Sequence, residues 1–289
     1  MNKAKEIVFN LPHIQLAARQ WGDKDKPIIL ALHGWLDNAN SFEPLAPLLH
    51  DYCLIAIDWP GHGKSQHRQQ GYSLHLTDYV FDLDSLVLHL CEQFSISKIH
   101  ILGHSFGGII GAIYTSLFPE HVASLNLVEA LSPLFENEQQ TKMRLRQSII
   151  QHRDLTNSSK TAKSYSSLES IAKNRHKLTE LQYQFCLSIL SRNITPSHNG
   201  VCLKTDPKLK LGSAWRYSEA QVLNLIDSVL VPSLLILGES GFAELQHAPN
   251  RLQDYFRQLT IVTSEGGHHV HMDNPRHVAA HICTMIEQL

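Results

Sequence analysis

A serine set between two glycines, Gly103-His104-Ser105-Phe106-Gly107, is the place in this chain where residue type and spacing point most directly to chemistry. The GxSxG pattern fits a sharp passage from strand to helix, where a strained central residue needs neighbours with almost no side chain. Such a turn lifts the serine hydroxyl out at the sheet's carboxyl edge and aims the first amides of the next helix at whatever binds there. A serine hydroxyl is a poor nucleophile at neutral pH. It needs a base to take its proton and an acid to orient that base and balance its charge. The chemistry therefore predicts a histidine and a carboxylate, both at strand ends and both after Ser105.

The last strand runs into Ser264-Glu265-Gly266-Gly267-His268-His269-Val270-His271-Met272-Asp273-Asn274-Pro275. His268 directly follows the glycine pair and leads toward a helix opened by Pro275, so it is assigned as the base, with His269 its rival. A metal reading of His269-x-His271-x-Asp273 has no partner cluster, and neither a metal nor a cofactor is expected. For the acid, Glu129 ends the strand that follows the serine's helix, while Glu239 stands one residue after Gly238. Glu129 is favoured, Glu239 is the alternative, and Asp227 or no acid at all lies behind them. An oxyanion hole needs two converging backbone amides. Phe106 supplies one by position and Trp35, after His33-Gly34, the other. His33 itself reads as a structural hydrogen-bonder. Gly63-Lys64-Ser65 looks like the end of a phosphate-binding loop, but position 58 is Asp where that loop needs Gly; Gln66 likewise closes the dinucleotide reading. Asp58 is expected to hold its own turn.

These residues need a frame. Residues 27–32 are continuous and apolar, as for a parallel strand buried on both faces. Similar runs at 52–57, 99–102, 122–128, 233–237 and 259–263 each stop at a polar residue of interest or a loop. Helices are expected at 76–94, where apolar positions recur at three and four residues, and at 106–118, 218–230, 242–256 and 275–289. Residues 7–21 read as an edge hairpin divided by Pro12, and 41–49 as a short helix. From 132 to 217 the alternation breaks down. Helices are expected at 138–152, 161–174 and 179–191, the last capped by Thr179 with Gln182, and no strong strand lies among them. The organisation is an α/β core of 1–131 and 218–289, with 132–217 a helical insertion over the strand ends. Strand and helix alternating on both sides of it imply a mostly parallel sheet with ligands at its carboxyl edge.

The bulk properties leave this reading intact. The chain has 289 residues, 43% hydrophobic and 18% charged, which is a globular composition large enough for a sizeable core. A formal net charge of −2 gives no reason to expect nucleic acid or an acidic membrane. No apolar run reaches the roughly 18 residues a bilayer requires. The amino terminus lacks a secretory pattern, and five scattered cysteines without CxxC read as reduced thiols, so a cytoplasmic location is expected.

Taken in order, His33-Gly34-Trp35, the stretch Asp58-Trp59-Pro60-Gly61-His62-Gly63-Lys64-Ser65, Gly103-His104-Ser105-Phe106-Gly107, and Gly267-His268 with Pro275 resemble the α/β-hydrolase superfamily across nearly the whole core. Residues 32–42 and Thr205-Asp206-Pro207-Lys208-Leu209-Lys210 resemble its serine hydrolase-like branch. The resemblance implies an eight-stranded sheet with a helical cap inserted after the sixth strand. It also supports an acid after that strand; the family's more usual acid position falls here on Gly241. Relatives with an aspartate nucleophile hydrolyse haloalkanes or epoxides, whereas Ser105 implies an acyl-enzyme. The expected activity is that of a carboxylesterase acting on a small or medium acyl ester. A carbon-carbon bond hydrolase of the same fold, or an inactive binding module motivated by Gly241, are the alternatives.

Overall fold

The computed structural model of the chain describes residues 4–69, 73–158, 163–179 and 181–289. Lys5–Asn10 (β1) and Gln15–Trp21 (β2) make the expected antiparallel hairpin around Pro12. Ile28–Leu32 (β3) and Cys53–Ile57 (β4) follow, every residue of both buried, as their unbroken apolar sequences require. Leu76–Phe94 (α1), Ile99–His104 (β5), Phe106–Leu117 (α2) and Val122–Val128 (β6) bring the chain to Glu129.

The next segment holds Thr141–Asn157 (α3), Ser164–Tyr165 (β7), Leu168–Thr179 (α4), Tyr183–Ser191 (α5), Ile194–Ser197 (β8) and Gly200–Leu203 (β9). The chain returns through Glu219–Leu225 (α6), Ser233–Gly238 (β10), Ala243–His247 (α7), Pro249–Leu252 (α8), Leu259–Ser264 (β11), Val270–Asp273 (α9) and Pro275–Glu287 (α10).

Eight strands form one sheet in the order β1-β2-β4-β3-β5-β6-β10-β11. The pairs β1-β2 and β2-β4 are antiparallel and the rest are parallel. Side chains alternate along each strand, so Leu30 and Leu32 face a core built with Leu83, Leu86 and Ile110 from α1 and α2. Ile29 and Ala31 face the opposite core, built with Phe42 and with Val278 and Ile282 of α10. Helices cover both faces of the central strands, and Ser105, Glu129 and His268 all follow carboxyl ends, of β5, β6 and β11.

Several local expectations change. Residues 41–49 form no continuous helix; Ala39–Phe42 and Ala46–Leu48 are separate 3₁₀ turns, because Pro44 and Pro47 remove donors a helix would need. Residues 242–256 are likewise broken, with Pro249 opening α8. The segment expected to be wholly helical contains a small antiparallel sheet, β7-β9-β8. Its strands are two to four residues long and none of their residues is buried, so no apolar alternation marks them. Position 161, the start of one expected helix, lies outside the described residues; α4 begins at Leu168. The capping box on Thr179 does not form: its hydroxyl donates back to the Arg175 carbonyl at 2.9 Å, closing α4, and α5 starts after Gln182 without a side-chain cap. Helices α4 and α5 share an apolar cluster with Met272 of α9, which seats this segment beside His268.

Candidate active site

Ser105 sits between β5 and α2 with φ 49° and ψ −118°, a conformation L-residues avoid. The flanking glycines are required by packing. A Cβ on Gly103 would lie 2.4 Å from the Gly108 Cα, and one on Gly107 would lie 2.1 Å from the Leu32 carbonyl oxygen. The close approach of α2 to β3 and β5 is what holds the turn, and the Ser105 amide donates to Val128 O at 2.9 Å.

His268 Nε2 lies 2.9 Å from Ser105 Oγ, and its Nδ1 lies 3.1 Å from Glu129 Oε2. A carboxylate only accepts, so Nδ1 carries the hydrogen and Nε2 is left as the acceptor for the serine O–H. Glu129 is 1% exposed and itself has positive φ, 51°. Its carboxylate also accepts from the Gly238 amide at 2.7 Å on Oε1 and from the Phe242 amide at 3.3 Å on Oε2. Three donors thus fix one buried carboxylate. A Cβ on Gly241 would fall 2.3 Å from Glu129 Oε1. The residue that stands where the family more often keeps its acid is therefore the one whose lack of a side chain makes room for Glu129. Glu239 is exposed, and among the described residues its carboxylate has no hydrogen bond or ion pair with His268. The Phe242 ring lies 4.0 Å from the His268 ring and limits its rotation.

The amides of Trp35 and Phe106 have no acceptor among the described residues. The Trp35 indole donates to Leu209 O at 3.0 Å and meets the Phe106 ring edge-on at 4.9 Å. His33 behaves as expected of a structural residue: Nδ1 donates to Gly34 O at 2.7 Å and Nε2 accepts from the Trp59 amide at 2.9 Å. Burial pushes its pKa down to about 4, so it is neutral. Asp58 accepts from the Lys64 amide at 2.8 Å, as its turn demands, and also pairs with Arg192 beyond α5.

Sequence reasoning missed Asp37. Its carboxylate is 2% exposed, pairs with Arg175 of α4, accepts from His269 Nε2 at 3.1 Å and stands 3.7 Å from His104 Nδ1. Burial alone would raise its pKa; His269 and Arg175 instead hold it well below the usual carboxylate range. Arg175 also donates to Leu36 O at 3.0 Å, and the Asp37 amide to Gly34 O at 3.1 Å. One carboxylate therefore ties the Trp35 loop to α4, to His269 beside His268 and to His104 beside Ser105. His269 is thereby turned to Asp37 and away from Ser105. The ligand atoms of Asp37, His104 and His269 lie within 4.8 Å of one another, but the carboxylate is already ion-paired, so the group reads as a hydrogen-bonded hub. His271, the middle residue of the other possible ligand trio, is fully buried, and burial pushes its pKa down to about 3. The available signal for Asp37 was a carboxylate two residues after Trp35, in a stretch that is otherwise without charge.

Above Ser105 lies a cavity of about 1080 Å³, with Gly34, Trp35 and His268 at its base and Tyr165, Ile171 and Leu190 among its walls. The residues from Lys163 to Lys210 that line it come from the segment between β6 and α6. No helix among the described residues is long and apolar enough to cross a membrane.

The sequence matches the family described as alpha/beta hydrolase fold over residues 27–275. A mouse serine hydrolase-like protein is 29% identical over an alignment that covers 100% of this chain and 97% of that protein. A zebrafish serine hydrolase-like protein is 28% identical, with 98% and 89% covered. Among solved structures, a hypothetical protein of Pseudomonas aeruginosa superposes with a TM-score of 0.85 at 31% identity, covering 97% of each chain. The thioesterase domain of a curacin biosynthetic pathway superposes at 0.79 with 24% identity over 99% of each chain, a likeness of fold. With a mostly parallel eight-stranded sheet, a strained GxSxG turn at its carboxyl edge and these relatives, the chain belongs to the α/β-hydrolase family, in its serine hydrolase-like branch.

Proposed function

We propose that this hydrolase is a carboxylesterase that works through an acyl-enzyme on Ser105. The single observation that carries the reading is the unbroken relay from Ser105 Oγ to His268 Nε2 at 2.9 Å and from His268 Nδ1 to Glu129 at 3.1 Å. Ser105 Oγ attacks the ester carbonyl as its proton passes to His268 Nε2. Glu129 holds the imidazole in the required tautomer and balances the imidazolium. The amides of Trp35 and Phe106 receive the oxyanion, a use supported by their having no other acceptor among the described residues. Collapse breaks the carbonyl–alkoxy bond, and the imidazolium returns its proton to the departing alcohol. Water, deprotonated by His268, then cleaves the Ser105 ester and releases the acid.

Residues 132–217 serve as a cap on a core of 1–131 and 218–289, and shape the acyl pocket. The lining of the cavity by Ile171 and Leu190 supports this division. The test is hydrolysis of p-nitrophenyl esters of graded chain length beside vinylogous diketones, with Ser105→Ala and His268→Ala as controls. Ester turnover lost in both variants is the expected result. Turnover of the diketones alone would transfer the site to carbon-carbon cleavage, and no turnover of either would leave an inert binding fold.

A further inference from the structure

We propose that the ester or thioester accepted by this site carries an anionic group, a carboxylate or a phosphate, several atoms away from the scissile carbonyl; this rests on the hydrolase reading above and specifies its substrate. The charge around the cavity is one-sided. Lys163, Lys177 and Lys210 line it, all three exposed, and they come from separate places: just before β7, within α4, and at the end of the turn Pro207–Lys210. Among the described residues the lysine ion pairs are those of Lys26, Lys64 and Lys208, so none of these three has a carboxylate partner. The single carboxylate in the lining, Asp37, is buried and consumed by Arg175 and His269.

Three uncompensated cations thus face one opening in a chain whose formal net charge is −2. The same lining holds the apolar side chains of Tyr165, Ile171, Leu190 and Leu203, and the Lys163 ammonium lies 5.1 Å from the centre of the Tyr165 ring. At about 1080 Å³ the cavity also exceeds what a short neutral acyl group fills. A ligand complementary to it has its carbonyl at Ser105, an apolar stretch along the wall and a negative group at the rim. A cleft lined by one sign of charge concentrates ligands of the opposite sign, and salt weakens the effect.

The test uses the full-length protein and two alkyl fluorophosphonates of equal length, one ending in a methyl group and one in a carboxylate. The rate of Ser105 modification is expected to favour the carboxylate probe on the order of 10-fold at low ionic strength, falling toward parity near 0.5 M salt. Combining Lys163→Gln, Lys177→Gln and Lys210→Gln should bring that ratio to about 1 at every salt concentration, while Lys98→Gln, at the sheet's opposite edge, leaves it unchanged. Two matched substrate pairs then separate the sources of charge. Mono-p-nitrophenyl glutarate against p-nitrophenyl valerate tests a carboxylate on the acyl side; S-butyryl phosphopantetheine against S-butyryl pantetheine tests a phosphate on the leaving side. A preference for the anionic member of either pair supports the proposal and names the side. Equal modification by the two probes, or a ratio that survives the triple variant, overturns it and leaves the hydrolase reading standing. If neither probe modifies Ser105, the hydrolase reading fails and takes this one with it.

Discussion

Replacing Glu129 by Gln is the sharpest perturbation of the site, because the two side chains have the same shape and differ in what they accept. Glu129 Oε1 receives the Gly238 amide at 2.7 Å, while Oε2 receives the Phe242 amide at 3.3 Å and His268 Nδ1 at 3.1 Å. Gln has one acceptor oxygen for these three donors. The shorter bond keeps the oxygen at Gly238, so the NH₂ group turns toward His268. Nδ1 must then accept, the ring hydrogen moves to Nε2, and Nε2 can no longer take the proton from Ser105. Loss of the correct tautomer in a serine triad lowers kcat on the order of 10³ to 10⁴. That corresponds to about 4 to 5.5 kcal/mol of transition-state stabilisation. The assay is steady-state hydrolysis of p-nitrophenyl butyrate, with KM expected to change little because substrate contacts are untouched. Glu239→Gln is the control and should stay within about twofold of wild type, since a surface change away from the relay leaves it intact. A large loss in Glu239→Gln with near-normal kcat in Glu129→Gln would refute the assignment of the acid.

Other outcomes follow from neighbouring contacts. Gly241→Ala places a Cβ 2.3 Å from Glu129 Oε1 and must displace that carboxylate, so kcat should fall about 10²-fold, as for a misplacement near 1 Å; a kcat within about twofold would show that the carboxylate yields without cost. Asp37→Asn leaves the half-buried Arg175 without its counter-charge and should lower unfolding stability by about 3 kcal/mol in urea titration; a change below about 0.5 kcal/mol would remove Asp37 as a hub. The buried imidazoles of His33, at about 4, and His62 and His271, at about 3, are driven down by burial from an unfolded value of 6.5. The unfolded chain therefore binds more protons than the fold between those limits. Stability is intact above pH 6.5 and falls as pH drops toward 4 and 3, by about 1.4 kcal/mol per pH unit per fully titrating imidazole. Urea midpoints should decline from pH 7.5 to pH 5; a flat or rising midpoint would contradict this.

The parts of the site that the sequence made legible are those announced by local constraint. Gly103 and Gly107 mark Ser105 because only glycine fits beside β3 and α2 there. Gly266, with φ 135°, marks the turn into His268, and the apolar run of β6 delivers Glu129. The central strands were equally plain, since burial on both faces leaves an unbroken apolar run. What escaped is held together over long separations. Arg175 meets Asp37 across 138 positions, and no periodicity near either residue records the pairing. The strands β7, β8 and β9 are short and only partly covered, so they carry little of the alternation that identifies a strand. Thr179 shows the same limit in miniature: a threonine three residues before a glutamine fits a helix start, yet its hydroxyl closes the preceding helix.

The most direct measurement is peptide mapping of the full-length protein after reaction with a neutral fluorophosphonate. One phosphonyl group is expected, on the peptide containing Ser105, absent from Ser105→Ala and formed far more slowly in His268→Ala. A folded protein that takes up no label, or takes it up at another residue at the same rate in all three proteins, would contradict it.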